Sequence, residues 1–571
     1  MTSSALHPEQ RALALSRLAA EAFDVLVIGG GVTGAGVALD AATRGLSVAL
    51  VEARDLAAGT SSRSGKAFHG GLRYLKRLDL GLVREASRER NLMVQRLCPH
   101  LAWPTPFLYP LVHRGWERLV MGAGLALYDV LGGRRPEGIE RPRHLGRAGV
   151  ARVAPALDPG RLVGAVQYHD AIVDDARHTM TVARTAAGHG AVIATSVEVT
   201  GMLREGATVA GVRARDRETG QELAVRARRV VNATGVWADL VQQLAGEASV
   251  EVRPAKGIHL VVPRDRIEAH AALIAPTADS VLVVRPWWRY WIIGTTDTPW
   301  AHDRADPAAS GADVDYLLGQ VNGWLRAPLE RRDVVGVFAG VRPLLRGKGG
   351  ASTAALSRNH AVLEGPPGLI TVTGGKYTTY RVMARDAVDA AMRSMGSPVV
   401  PCVTASTPLV GAEGWAALRR ERDQLAARAG LPPATIEHLL RRYGALVAEV
   451  LELLARRPEL RRPLAGAPEY LEAEIVYAAT HEGALHVDDA LARRTHVAME
   501  TADRGLEAAG RTAEIMGDVL GWDAARRARE VAAYRRAVEA DLRSEQAPDD
   551  GAAVAARNAD PGERRVTELA R

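Results

Sequence analysis

The sequence predicts an α/β chain in which a Rossmann-like unit is interrupted by a mainly β segment and followed by a helical domain. Three observations predict it. Residues 23–52 read as strand, glycine turn, helix and strand, and a second strand, glycine pair and helix start recurs at 369–381. Beyond residue 408 the composition turns to Ala, Leu, Glu and Arg at helical spacing.

Residues 23–28 form an apolar, β-branched run that breaks into Gly29, Gly31 and Gly34, the three places of a G-x-G-x-x-G turn. Gly29 allows the tight turn, Gly31 lets a pyrophosphate approach the backbone, and Gly34 lets the helix lie against the strand. The helix N-terminus adds free N–H groups and the positive end of its dipole. Glu52 closes the second strand, where a carboxylate accepts hydrogen bonds from a ribose 2′-hydroxyl and repels a 2′-phosphate. The unit is expected to bind a dinucleotide other than NADP, and by itself it does not separate FAD from NAD.

At 571 residues the chain is long enough for several domains. A hydrophobic content of 47% with 24% charged residues suits a globular enzyme. Cys98 and Cys402 are the only cysteines, and they give neither a disulfide framework nor a metal site. The +7 formal charge suits an anionic substrate or an anionic membrane surface, and no aromatic-interleaved basic stretch points to nucleic acid. The N-terminus has no secretory pattern and no run reaches the ~18 apolar residues of a spanning helix, so a cytoplasmic location is expected.

Residues 1–22 read as a polar, helical lead-in. After the first unit, residues 59–71 are dense in Gly, Ser and basic residues, and Ser61, Ser62, Ser64 and Lys66 can donate to phosphate or ring carbonyl oxygens. His69, Arg73 and Tyr74 follow. Residues 115–131 form an apolar helix flanked by Arg114, Arg118, Arg134 and Arg135, either a core helix or one lying in a membrane interface. Strands dominate from residue 191, through a stretch that contains Val197, to the run 229–235, whose Ala-Thr-Gly end brings Gly235 back toward the nucleotide. His259 precedes another strand. The run 280–297 alternates through a hairpin in which Trp287, Trp288 and Trp291 are core or turn aromatics. Arg342 ends an apolar run, and Gly375 and Lys376 stand at the second strand-to-helix turn, so the nucleotide domain is discontinuous. A helical domain is expected over 406–540, then a disordered tail over 541–571.

Taken together, IGGGVTGAGVALDAATRGLSVALVE, TSSRSGKAFHGGLRYL, VDDAR, VNATGVWAD, KGIHLVVP, IIGTTD, GVRPL and GGKYTTYR occur in order from residue 23 to 381. This set resembles the FAD-dependent glycerol-3-phosphate dehydrogenase family. The resemblance implies a fold of the D-amino-acid-oxidase/glutathione-reductase type: a discontinuous FAD-binding domain with an inserted antiparallel β substrate domain (23–405) and a helical C-terminal domain. It implies FAD as cofactor, oxidation of glycerol 3-phosphate to dihydroxyacetone phosphate, electrons passed to the quinone pool, and attachment to an anionic membrane surface at the inner face of the cytoplasmic membrane. It leaves a homodimer open. By matching motif, Arg73 and Tyr74 contact the substrate phosphate, Arg342 the phosphate or the reacting oxygen, and His259 and Lys376 are the candidates for base or polarising group. His69 positions the flavin or joins a proton relay, Lys376 is also a candidate flavin contact, and Val197 joins the cofactor contacts.

Three rival readings remain at this stage: an α-glycerophosphate oxidase using oxygen, an amino-acid or amine oxidase with Arg342 clamping a carboxylate, and a flavin-bound scaffold.

Overall fold

The computed structural model describes residues 3–72, 79–113, 115–246, 249–277, 281–345 and 360–559. The expected unit forms as β1 (Ala22–Ile28), α1 (Val32–Thr43) and β2 (Val48–Glu52), with Val25 opposite Val48 and Ile28 opposite Val51 in a parallel pair. Its eight-stranded sheet runs, from one edge, His360–Glu364, Leu369–Gly374, Glu222–Asn232, β1, β2 and Val192–Thr195, with an antiparallel extension Val197–Glu205 and Thr208–Asp216. The strand from the second glycine turn therefore lies in the same sheet as β1, although more than 300 residues separate them in sequence. The nucleotide domain is discontinuous, as the sequence predicts.

α1 is short on bulk because it is packed on every side. It meets the helices Asp175–Gly188 and Tyr380–Ser394 as well as the sheet. A Cβ on Gly34 would lie 1.9 Å from the Gly29 carbonyl oxygen, so any side chain there pushes the helix off the strand. Gly29 itself holds φ +106°, which an L side chain rarely adopts.

The inserted segment builds a ten-stranded, largely antiparallel sheet. Trp116–Leu131 (α2) packs beside it through Leu125 and Tyr128. In the middle of the sheet run β3 (Val252–Pro263), β4 (Val281–Trp287), β5 (Tyr290–Gly294) and β6 (Gly336–Leu345). β3 sits between β5 and β6, so His259 faces Gly294 on one side and Phe338 on the other. Trp287 and Trp291 are core aromatics, with indole N–H groups donating to Glu500 and to the Arg264 and Ile267 carbonyls.

From Trp415 onward helices bury their own apolar core around Ile436, Leu440, Ile475 and Met516. Ion pairs join this domain to the first: Asp55 to Arg493 at 2.6 Å and Arg494 at 2.7 Å, and Arg177 to Glu482 at 2.6 Å. The disordered tail expected over 541–571 is corrected for its first half. Ala524–Ser544 runs past residue 540, and Asp550–Asn558 (α3) is a helix capped by Asp549. Low hydrophobicity misled here, because α3 docks with little apolar surface: Ala547 and Ala553 lie against Val236, Trp300 and Val341, and Asp550 pairs with buried Lys256.

Candidate active site

A cavity of about 430 Å³ lies where the carboxyl ends of the parallel strands meet one face of the second sheet. Its nucleotide side is lined by Gly29, Gly31, Glu52, Ser61 and Gly235. Glu52 accepts N–H bonds from Gly30 at 2.6 Å and Arg54 at 2.8 Å. Burial raises its carboxyl above the usual range, and those two bonds hold part of the rise back. Gly31 caps α1 but has no side chain to do so; Ser61 Oγ accepts the Val32 N–H at 2.9 Å instead. The Ser61 hydroxyl hydrogen remains to donate toward an anion at that helix end.

Val197, Gly375, Lys376 and His69 also line the cavity, and the His69 N–H donates to Thr378 Oγ1 at 3.2 Å. Three sequence-predicted contacts stand elsewhere. Lys66 is buried, with Nζ bonded to Asp175 at 2.6 Å and to the Ser62 carbonyl at 3.0 Å, so it is committed to an internal ion pair rather than to a ligand. Ser62 serves that lysine and does not line the cavity. Gly34 acts behind the cavity, on helix packing. Ser64 lines the cavity but donates to Asp175 at 2.6 Å. Arg73, Tyr74 and Arg114 lie outside the described residues.

The second sheet supplies His259 from β3 and Arg342 from β6. The Arg342 guanidinium donates to Asp297 at 3.1 Å, Thr295 Oγ1 at 3.0 Å and the Thr296 carbonyl at 3.1 Å, which fixes its plane. His259 is buried and stacks on Phe338 with ring centroids 4.8 Å apart, and neither ring nitrogen has a hydrogen-bond partner among the described residues. Burial first, then the charges of Arg285, Arg342 and Lys66, drive its pKa well below the ordinary histidine value, so the imidazole is neutral. Of the two ring nitrogens of a neutral imidazole one carries N–H and the other, with its lone pair idle, can take a proton from a ligand.

Sequence reading missed Arg285, Asp170 and Thr295, which all line the cavity. Arg285 left a signal: it interrupts an apolar strand run, Val281 to Val284, where the alternation places it on the same face as Val283. Among the described residues no group of three or more His, Cys, Asp or Glu is placed to hold a metal ion, and no helix is long and apolar enough to cross a membrane.

The cradle at Gly29 and Gly31, the acid at Glu52 and the unpartnered imidazole together fit a flavin dinucleotide. Residues 24–381 match the FAD dependent oxidoreductase family, and residues 402–527 match the C-terminal domain of alpha-glycerophosphate oxidase. Glycerol-3-phosphate dehydrogenase 2 of Mycobacterium tuberculosis is 53% identical over 549 residues, covering 96% of this chain and 93% of that protein. The human mitochondrial glycerol-3-phosphate dehydrogenase is 36% identical, covering 95% of this chain and 77% of that one. The glycerol-3-phosphate dehydrogenase of Bacillus halodurans, solved as a complex with FAD, superposes with a TM-score of 0.78 at 27% identity, covering 94% of this chain and 98% of that one. FAD is therefore the cofactor, and the chain belongs to the FAD-dependent glycerol-3-phosphate dehydrogenase family.

Proposed function

We propose that the chain oxidises sn-glycerol 3-phosphate to dihydroxyacetone phosphate by hydride transfer from C2, and that the electrons pass on to a membrane quinone. The observation that carries this reading is the meeting, in one cavity with the FAD cradle, of a neutral partnerless imidazole, His259, with Arg342 and Lys376. The names of the relatives supply the substrate. Oxidising a secondary alcohol requires an acceptor for the hydroxyl proton and positive charge to hold the oxygen and the phosphate. His259 takes the proton at a ring nitrogen, because it is unprotonated before substrate arrives. Arg342, its plane fixed by Thr295 and Asp297, presents its positive charge to an oxyanion in the cavity. Lys376 polarises the C2 oxygen or contacts the flavin, and His69 orients the same end. Arg73 and Tyr74 keep the phosphate role their motif implies. Apolar lining from Leu72, Phe107 and Val283 excludes water and strengthens these charge interactions. FAD, when bound, supplies the hydride acceptor.

The quinone and membrane parts of the reading rest on α2. Its outer face exposes Trp116 at 63%, Leu119 at 75% and Val130 at 72%, beside Arg118, Arg134 and Arg135. Its inner face is anchored by Tyr128, whose hydroxyl donates to buried Asp170 at 2.7 Å. An apolar face rimmed with arginine suits the surface of an anionic bilayer.

The deciding experiment is anaerobic addition of glycerol 3-phosphate to the FAD-loaded chain. Bleaching of the flavin, reversed by a soluble quinone, is expected; no bleaching, or bleaching by amino acids instead, sinks the reading. The match of residues 402–527 to an oxidase domain sustains one second reading, oxygen as acceptor. Stoichiometric peroxide in aerobic turnover, unaffected by quinone, would establish it.

A further inference from the structure

Arg285 stands on β4, lines the cavity and is only 4% exposed. Its Nη1 donates to the Gly65 carbonyl, while its Nε is buried without a hydrogen-bond partner among the described residues. Other buried cations of this domain carry carboxylates: Lys66 has Asp175, Arg90 has Asp170, and Lys256 has Asp313 and Asp550. Among the described residues Arg285 has no such ion pair. The negative charge it feels is that of Asp175, whose two oxygens are already taken by Lys66 and Ser64.

A guanidinium taken from water without a counter-ion costs several kcal/mol. Here burial brings its pKa down to about 10, so it stays charged at neutral pH. A charge kept at that cost in the wall of a substrate cavity is satisfied when an anion enters. The Arg285 and Arg342 charges both depress His259, so both act on a ligand held against that ring. Arg342 already faces Asp297 at 3.1 Å; Arg285 brings the uncompensated charge.

We infer that Arg285 is a further anion-holding residue of the site, which takes a phosphate-class oxyanion of the substrate beside Arg342 and Lys376. This rests on the glycerol 3-phosphate reading above. A guanidinium with its Nε idle can form paired N–H bonds to such an oxyanion, which a lysine ammonium reproduces only as a point charge. The same cation could instead serve negative charge on the cofactor, and the experiment separates the two sources.

The test uses the full-length FAD-loaded chain and two variants, Arg285→Met and Arg285→Lys. Inorganic phosphate is titrated against the flavin absorbance band, and the flavin midpoint potential is measured in parallel. Removing one charge-assisted hydrogen-bonding group is expected to weaken phosphate binding by at least about tenfold in Arg285→Met. Arg285→Lys is expected to recover part of it, KM for glycerol 3-phosphate to rise more than kcat falls, and the potential to stay put. Phosphate binding unchanged in Arg285→Met overturns the inference, and a shifted potential in that same variant assigns the charge to the cofactor. If Arg285→Met fails to retain FAD, Arg285→Lys decides: weaker phosphate binding with FAD retained supports the role, and unchanged binding overturns it. Failure of glycerol 3-phosphate to bleach the wild-type flavin removes the substrate reading alone, because the phosphate titration still judges Arg285.

Discussion

At the residue scale the site depends on two kinds of position, one defined by a missing side chain and one by missing partners. Gly31 is the first. Its backbone is extended at φ −73°, so a side chain is not forbidden by torsion, but its Cβ would lie 3.2 Å from Ser61 Oγ. Gly31→Val therefore adds branches in the cradle that FAD phosphates must enter and disturbs the hydroxyl that caps α1. The variant is expected to fold and to purify colourless, checked by the flavin absorbance per chain; a fully yellow Gly31→Val would show that the phosphates lie elsewhere. His259 is the second kind. Because its folded pKa is lowered, protonation and loss of the acceptor set in only as pH falls well below the ordinary histidine value of ~6.5. The expected kcat/KM profile is flat through pH 6.5 on its acid side, with the descending limb further down. A limb centred at 6.5 or above that disappears in His259→Asn would contradict the burial argument.

At the scale of elements, α3 shows how a short polar helix becomes part of a site. Asp550 gives fully buried Lys256 one of its two carboxylates, the other being Asp313. Ala547 and Ala553 cover Val236, which lines the cavity, and Val341, which adjoins Arg342. A chain ending at residue 545 is expected to release FAD at a lower temperature than it unfolds, with a raised KM; FAD release and KM identical to the full chain would make α3 a surface ornament. Likewise, Leu119→Glu with Val130→Glu on α2 is expected to abolish sedimentation with anionic vesicles while leaving soluble-acceptor turnover intact, and unaltered sedimentation would remove the membrane role of that face. These elements mark the limit of what the sequence makes legible. The glycine turns are readable because backbone geometry and close approach admit no other residue, as at Gly29 and Gly34. Lys66 was misassigned because a basic residue in a Gly/Ser loop announces a charge but not its partner, and Asp175, which captures it, lies 109 residues away. α3 was missed because its docking depends on Lys256, a residue of a distant strand. Arg285 was visible as a charge in an apolar run, yet its missing counter-ion appears only when the sheet is assembled.

At the scale of the whole molecule, buried charges at the seam between the flavin domain and the helical domain give docking a pH dependence whose sign follows from each group. Burial works against the Asp55 carboxylate, but Arg494 and Arg493 outweigh it and bring its pKa down to about 2. A folded pKa below the unfolded ~3.9 stabilises the docked state above that value, and the contribution is lost as pH falls through it toward 2. Glu500 carries the opposite sign. It accepts from Trp287 Nε1 at 2.7 Å and from the Tyr470 hydroxyl at 2.8 Å, joining the substrate sheet to the helical domain. Burial lifts its pKa to about 7, more than those bonds and Arg442 restore. Its contribution is whole below the unfolded ~4.3 and is lost as pH rises through 7. Thermal stability is therefore expected to peak between about pH 4 and 7. Asp55→Asn takes the carboxylate from buried Arg494, whereas Arg493 keeps Asp488 and Asp489, so a loss of about 3 kcal/mol is expected, and it should flatten the acid limb of the stability profile. Glu500→Gln keeps an acceptor in place without the charge, so it should flatten the alkaline limb and raise Tm at pH 8 but not at pH 5. Calorimetric scans of the three FAD-loaded proteins between pH 3 and 9 decide it: an acid limb in Asp55→Asn as steep as in the wild type would mean that the Asp55 cluster does not govern how the two domains hold together.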